Sequence, residues 1–184
     1  MKKLSKKYPS ELVIHVHALA LHGDYSQTLS IGEEKKIKKS VSLELKKVLK
    51  RVSRSPIEIR RLVYNEYYYH SGQYLKQYLL GRKHLKMGYN GNFSAGVGSS
   101  CLALELFKKG KKAPSQEYAL KSLVHWESYK KDAVKVGGAF YVVVLWLVEE
   151  KEKAKKALEK IRKLDKFSST LHFGYYRKYN WIAE

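Results

Sequence analysis

The chain has 184 residues, with 37 Lys+Arg against 17 Asp+Glu for a formal net charge of +20, yet 44% of it is hydrophobic and 12% aromatic. That apolar content excludes a disordered basic tail, and the length fits one compact domain or one short repeat array. The single cysteine, Cys101, excludes a disulfide scaffold.

The basic start, residues 1–7, leads into an apolar run that His15, His17 and His22 interrupt. No export signal is expected from that pattern, and the cytoplasm is the default compartment. From 11 to 21 the apolar positions fit a buried helix or a strand, and the Pro9-Ser10 entry and the Gly23-Asp24 turn favour helix. Residues 26–38 read as a second, polar helix, and Leu43, Leu45, Val48, Leu49 and Val52 stripe a third up to a break at 53–56.

Helical spacing resumes over 57–71 and stops at Gly72-Gln73, and the helix over 74–87 stops at Gly88-Tyr89-Asn90-Gly91-Asn92. Residues 93–109 form a helix of small residues, among them Gly96, Gly98, Ser99 and Ser100, suited to close helix contact. Ser115 reads as the N-cap of a helix lined by Ala119, Leu120, Leu123, Val124 and Tyr129. The most apolar helix, 134–149, contains the stretch 137–148, far shorter than the roughly 20 residues of a membrane span. The helix over 151–164 has Ala154, Ala157, Leu158, Ile161 and Leu164 inside, with Glu149–Lys153, Glu152–Lys156 and Glu159–Lys163 spaced as acid–base pairs.

Paired around turns near Gly23, Gly72, Gly110 and Glu150, these helices make hairpins over 9–38, 57–87, 93–130 and 134–165, followed by a C-terminal cap or tail at 166–184. The expected fold is all-α: one domain, residues 1–184, of stacked antiparallel hairpins in an α-solenoid, where each pair buries its apolar face against its neighbours. Two stretches, Ala18-Leu19-Ala20-Leu21-His22-Gly23-Asp24-Tyr25 and Tyr67-Tyr68-Tyr69-His70-Ser71-Gly72-Gln73-Tyr74, resemble the helix end, turn glycine and following aromatic of tetratricopeptide repeats. Ala154 and Ala157 are similar to the small residues of that family's second helices, whereas no Trp opens the first helices and Thr28 and Gln77 stand where Ala is usual. The resemblance implies a superhelical stack with a concave face for a peptide or partner protein, and it brings no catalytic residue.

The basic excess is distributed: residues 1–60 hold 14 Lys+Arg against 6 acids, 61–120 hold 9 against 3, and 121–184 hold 14 against 8. Such a surface attracts polyanions, and phosphate contacts release condensed counterions. Alternatively it is the solvated Lys-rich surface of a thermophile's protein, to which sparse Asn and Gln also point. Fifteen tyrosines offer flat apolar faces with polar tips. Tyr67, Tyr69, Lys76, Arg82 and Lys83 are the expected partner-binding residues. In the tail, Tyr175, Tyr176, Arg177 and Lys178 are candidates for nucleic-acid contact, weighed against a structural cap.

His15 and His17 lie on different faces of a helix and do not chelate, so neither a metal nor a cofactor is expected. Nucleophile motifs and paired carboxylates are missing from the sequence, and the expectation is no enzyme. The first functional expectation is a binding module or scaffold for a protein or peptide. The alternative is RNA or DNA binding through Lys/Arg and Tyr, and a distant third is a small metal-independent ribonuclease using His, Arg and Tyr.

Overall fold

The structure, a computed structural model, describes residues 9–25 and 31–165. Every regular element among the described residues is helical: α1 (Pro9–Tyr25), α2 (Ile31–Arg51), α3 (Ile57–His70), α4 (Tyr74–Lys86), α5 (Asn92–Lys108), α6 (Lys112–Glu127), a 3-10 turn (Lys130–Asp132), α7 (Ala133–Leu147) and α8 (Lys151–Asp165). None of these helices is long and apolar enough to cross a membrane. They divide into two compact units, one ending at Gln73 and one beginning at Tyr74, and within each unit consecutive helices pack on one another.

In the first unit α1, α2 and α3 all touch each other. Their core is aliphatic: Val16 from α1, Val41, Leu45 and Val48 from α2, Val52 just after it and Val63 from α3 are buried together. From Ile31 onward the two helices expected over 26–38 and 43–52 are one, because Ile37, Val41, Leu45, Val48 and Val52 continue a single stripe at spacings of three and four. Gly23 is likewise not a turn. It lies inside α1, where a Cβ would come within 2.4 Å of the His70 ring, so its use is close approach between α1 and α3.

In the second unit α5 is central, with α4, α6 and α7 against it, and α8 closes on α7. Small residues let the backbones meet. A Cβ on Gly81 would fall 2.4 Å from the Ala95 amide nitrogen, and one on Gly98 would fall 2.5 Å from that of Tyr78. The α5–α6 contact includes a buried polar chain. Trp126 Nε1 donates to Ser100 Oγ at 3.1 Å, Ser100 and Ser122 hydroxyls meet at 2.7 Å, and Ser122 donates to Gly96 O at 3.0 Å. Ser115 does not cap α6 but sits within its first turn, buried, donating to Ala103 O at 2.8 Å. Helix α6 ends at Glu127, so Tyr129 follows it. Helix α7 is interrupted at Gly138 (φ 51), and α8 buries Ala154, Ala157 and Ile161 as its stripe demands.

Four helices close with the same six-residue hydrogen bond, from Gln73 N to Tyr68 O, Tyr89 N to His84 O, Lys111 N to Leu106 O, and Glu150 N to Leu145 O. Gly72, Gly88 and Gly110 occupy the left-handed position in three of them; in the fourth it is Glu149, with φ 67.

Candidate functional site

The richest cluster of chemistry-bearing side chains lies where α4 and α6 approach over α5. Helix α4 supplies Tyr78 and Arg82 one turn apart, and α6 supplies Tyr118, Lys121 and His125 at helical spacings of three and four. The tight glycine contacts of α4 with α5 bring the two rows together. Tyr78 meets Tyr118 edge to face at 6.0 Å and His125 at 6.1 Å.

Depth grades the cluster. Tyr78 and His125 are buried at 5% and 8% exposure, Tyr118 and Lys121 are half-buried, and Arg82 is exposed. Arg82 donates to the Tyr78 hydroxyl at 3.3 Å and lies 5.9 Å from that ring's centre. No carboxylate among the described residues pairs with Arg82, whereas Lys121, 4.7 Å over the Tyr118 ring, is hydrogen-bonded to Glu117. That bond raises the Lys121 pKa. Burial, and then the charge of Arg82, lower the pKa of His125, which stays neutral where an ordinary histidine begins to protonate. His125 Nδ1 lies 3.1 Å from Asn92 Oδ1 at the start of α5.

The arrangement presents one cation with no acid partner among the described residues, a second cation over an aromatic face, and a buried histidine held towards its neutral form beside them. It suits a ligand that brings negative charge and a flat ring. Elsewhere several acids are engaged by lysines, as in Glu34–Lys38, Glu105–Lys109 and Glu152–Lys155. The large excess of bases over acids therefore leaves many cations with no acid to answer them. The pairs expected around α8 re-sort as well: Lys153 bridges Glu127 at 2.9 Å and Glu150 at 3.2 Å, and Glu149 turns to Lys112.

Of the residues expected to bind a partner, Arg82 is in the cluster, and Lys76 and Lys83 are exposed elsewhere on α4. Tyr67 packs against the aliphatic core of the first unit. Tyr69, half-buried on α3, lies against the His70 ring at 4.9 Å and has the Lys38 ammonium 6.0 Å from its centre. Tyr175, Tyr176, Arg177 and Lys178 lie outside the described residues. Tyr118, Lys121 and His125 were missed, although their positions three and four apart along one face of α6 were readable. No family model matches the chain, and no curated protein or solved structure matches it either.

Proposed function

We propose that the chain is a non-catalytic binding module, built of stacked helix hairpins on a tetratricopeptide-like plan, and that its partner is nucleic acid held on the Tyr78–Arg82–Tyr118–Lys121–His125 face. Arg82 carries this reading: an exposed guanidinium, free of carboxylate partners among the described residues, beside an aromatic and cationic row. Phosphate would meet Arg82 and Lys121, and a base would stack on Tyr118. The peptide reading, placed first on sequence grounds, moves to second. It draws support from the exposed apolar residues of the same two helices, Leu75, Leu79, Leu120 and Val124, which a protein partner would cover. The same face holds the residue types of a metal-independent ribonuclease, but His125 is buried and its Nδ1 is taken up by Asn92, which favours binding over turnover.

Anisotropy of labelled single-stranded RNA and DNA 12-mers, titrated across salt, tests the reading. Binding should fall steeply with salt, and Arg82→Ala should flatten the dependence by about 0.7 in log–log slope, the share of one phosphate left unneutralised. Tyr118→Ala should weaken binding by about 1–3 kcal/mol while Tyr118→Phe keeps it. Failure to bind either strand at low ionic strength would leave the peptide reading, and cleaved RNA would overturn the non-catalytic one.

A further inference from the structure

A cavity of about 300 Å³ lies in the second unit, at the turns that join α5 to α6 and α7 to α8. None of its lining residues belongs to the Tyr78–His125 face. Its aromatic side is Phe107 and Trp146, whose rings meet edge to face at 5.4 Å and 88°. Its polar side is Lys112, Gln116, Glu149 and Lys151, two cations against one carboxylate. The volume is at the low end of ligand pockets, room for a ligand's ring while its charged end reaches out to the lysines.

Glu149 is the informative member. It occupies the left-handed position that glycine takes at the three equivalent helix ends, at a cost of roughly 1–2 kcal/mol for a side chain there. Its carboxylate accepts from Gln116 Nε2 at 3.4 Å and faces Lys112 Nζ at 3.4 Å, both long contacts, so the side chain itself gains little from its present partners. Backbone strain retained at the mouth of a cavity points to use of the side chain. A carboxylate there accepts a hydrogen bond from a ligand's amino group, while the two ammoniums still leave the site net positive.

We propose that this cavity binds a nucleotide whose base carries an exocyclic amino group. The base packs against Phe107 and Trp146, its amino group donates to Glu149, and its phosphate is met by Lys112 and Lys151. Two sources share this chemistry, a free nucleotide and the terminal nucleotide of a strand. The site stands on the cavity alone, and only the strand source rests on the nucleic-acid reading above.

The test is calorimetric titration of the full chain with AMP, adenosine, UMP and inorganic phosphate. AMP should saturate at or below about 1 mM and bind about tenfold tighter than adenosine, the effect of one charge-assisted contact. UMP, which lacks the amino group, should bind more weakly than AMP, and Glu149→Gln should shrink that difference. Lys112→Ala with Lys151→Ala should bring AMP down to the level of adenosine. AMP that fails to saturate, that binds no better than adenosine, or that is indifferent to the lysine pair overturns the proposal. So does a preference over UMP that Glu149→Gln leaves undiminished. A 12-mer with a 5′-phosphate identifies the source: about tenfold loss on removing the lysine pair assigns the strand end, and no loss alongside intact AMP binding assigns the free nucleotide. Failure of the other face appears separately, as 12-mer binding indifferent to Arg82→Ala.

Discussion

The two units differ in how their central helices meet. In α1–α3 aliphatic side chains fill the space between helices, and the core is Val and Leu with Tyr67 at its edge. In α4–α8 much of that space is removed: Gly81, Gly91, Ala95 and Gly98 bring backbones together, and a buried Ser100–Ser122–Trp126 chain replaces grease at the α5–α6 contact. A core filled by side chains can relax around a change, but a contact between backbones cannot. The polar, aromatic face belongs to the second kind of unit, where α5 is slim enough for side chains of α4 and α6 to meet across it.

Substitutions should separate the two designs most sharply at Gly98. A methyl there meets backbone atoms of Tyr78 and Tyr74. Gly98→Ala should destabilise by about 3 kcal/mol or more, at the upper end for overpacking. All three tryptophans, Trp126, Trp146 and Trp181, come after Tyr74 in the chain, so intrinsic fluorescence reports that destabilisation. Gly23→Ala in the first unit meets first the His70 side chain and not backbone, and a milder effect there would uphold the contrast. Leu45→Ala, in the filled core, should cost about 2–5 kcal/mol by denaturant unfolding, with Leu45→Met costing under about 1.5. Equal tolerance of Gly98→Ala and Leu45→Met would break the comparison.

The buried polar chain gives the next largest effect. Ser100→Ala leaves Trp126 Nε1 without its acceptor and should cost about 1–3 kcal/mol. In Trp126→Phe the donor is gone as well, so the additional cost of Ser100→Ala should shrink in a double-mutant cycle. An undiminished cost would mean that Ser100 acts by packing alone.

How far the sequence revealed this division depended on which residues spoke. The stripe of α8, the part of α2's stripe carried by Leu45, Val48 and Val52, and the turn glycines Gly72 and Gly110 were legible, because apolar periodicity and positive φ leave marks in single residues; Leu43, expected in the same stripe, is exposed. The small residues of α5 announced a close contact, but not that α4 and α6 would both use it. Gly23 and Ser115 misled for one reason: a residue suited to a turn or a cap is also suited to a tight interface, and only the neighbouring helix decides between them. Arg82 was legible as a cation on an exposed face. Its lack of an acid partner among the described residues and its position beside His125, 43 residues further along the chain, depend on tertiary contacts, which no local pattern records.

Two titrating groups supply the smallest effects, and they act at opposite ends of the pH scale. The His125 pKa is lowered by burial and by Arg82, so the unfolded chain binds the proton more readily than the folded one. Stability from this group is complete above the ordinary value of 6.5 and declines as pH falls below it. His125→Gln should flatten the acid side of the melting profile, and Arg82→Gln should flatten it in part, because burial is the larger cause. Lys153 shifts the other way, raised by its bonds to Glu127 and Glu150, so its contribution is complete below its ordinary 10.5 and is lost only as pH rises beyond that. The three side chains are nearly half exposed, which holds the ion pairs to about 1 kcal/mol or less. Lys153→Met should therefore lower the melting temperature slightly at pH 7, with the difference narrowing in high salt. A large drop that salt leaves unchanged would show that Lys153 matters through its packing between α6 and α8 and not through its charge.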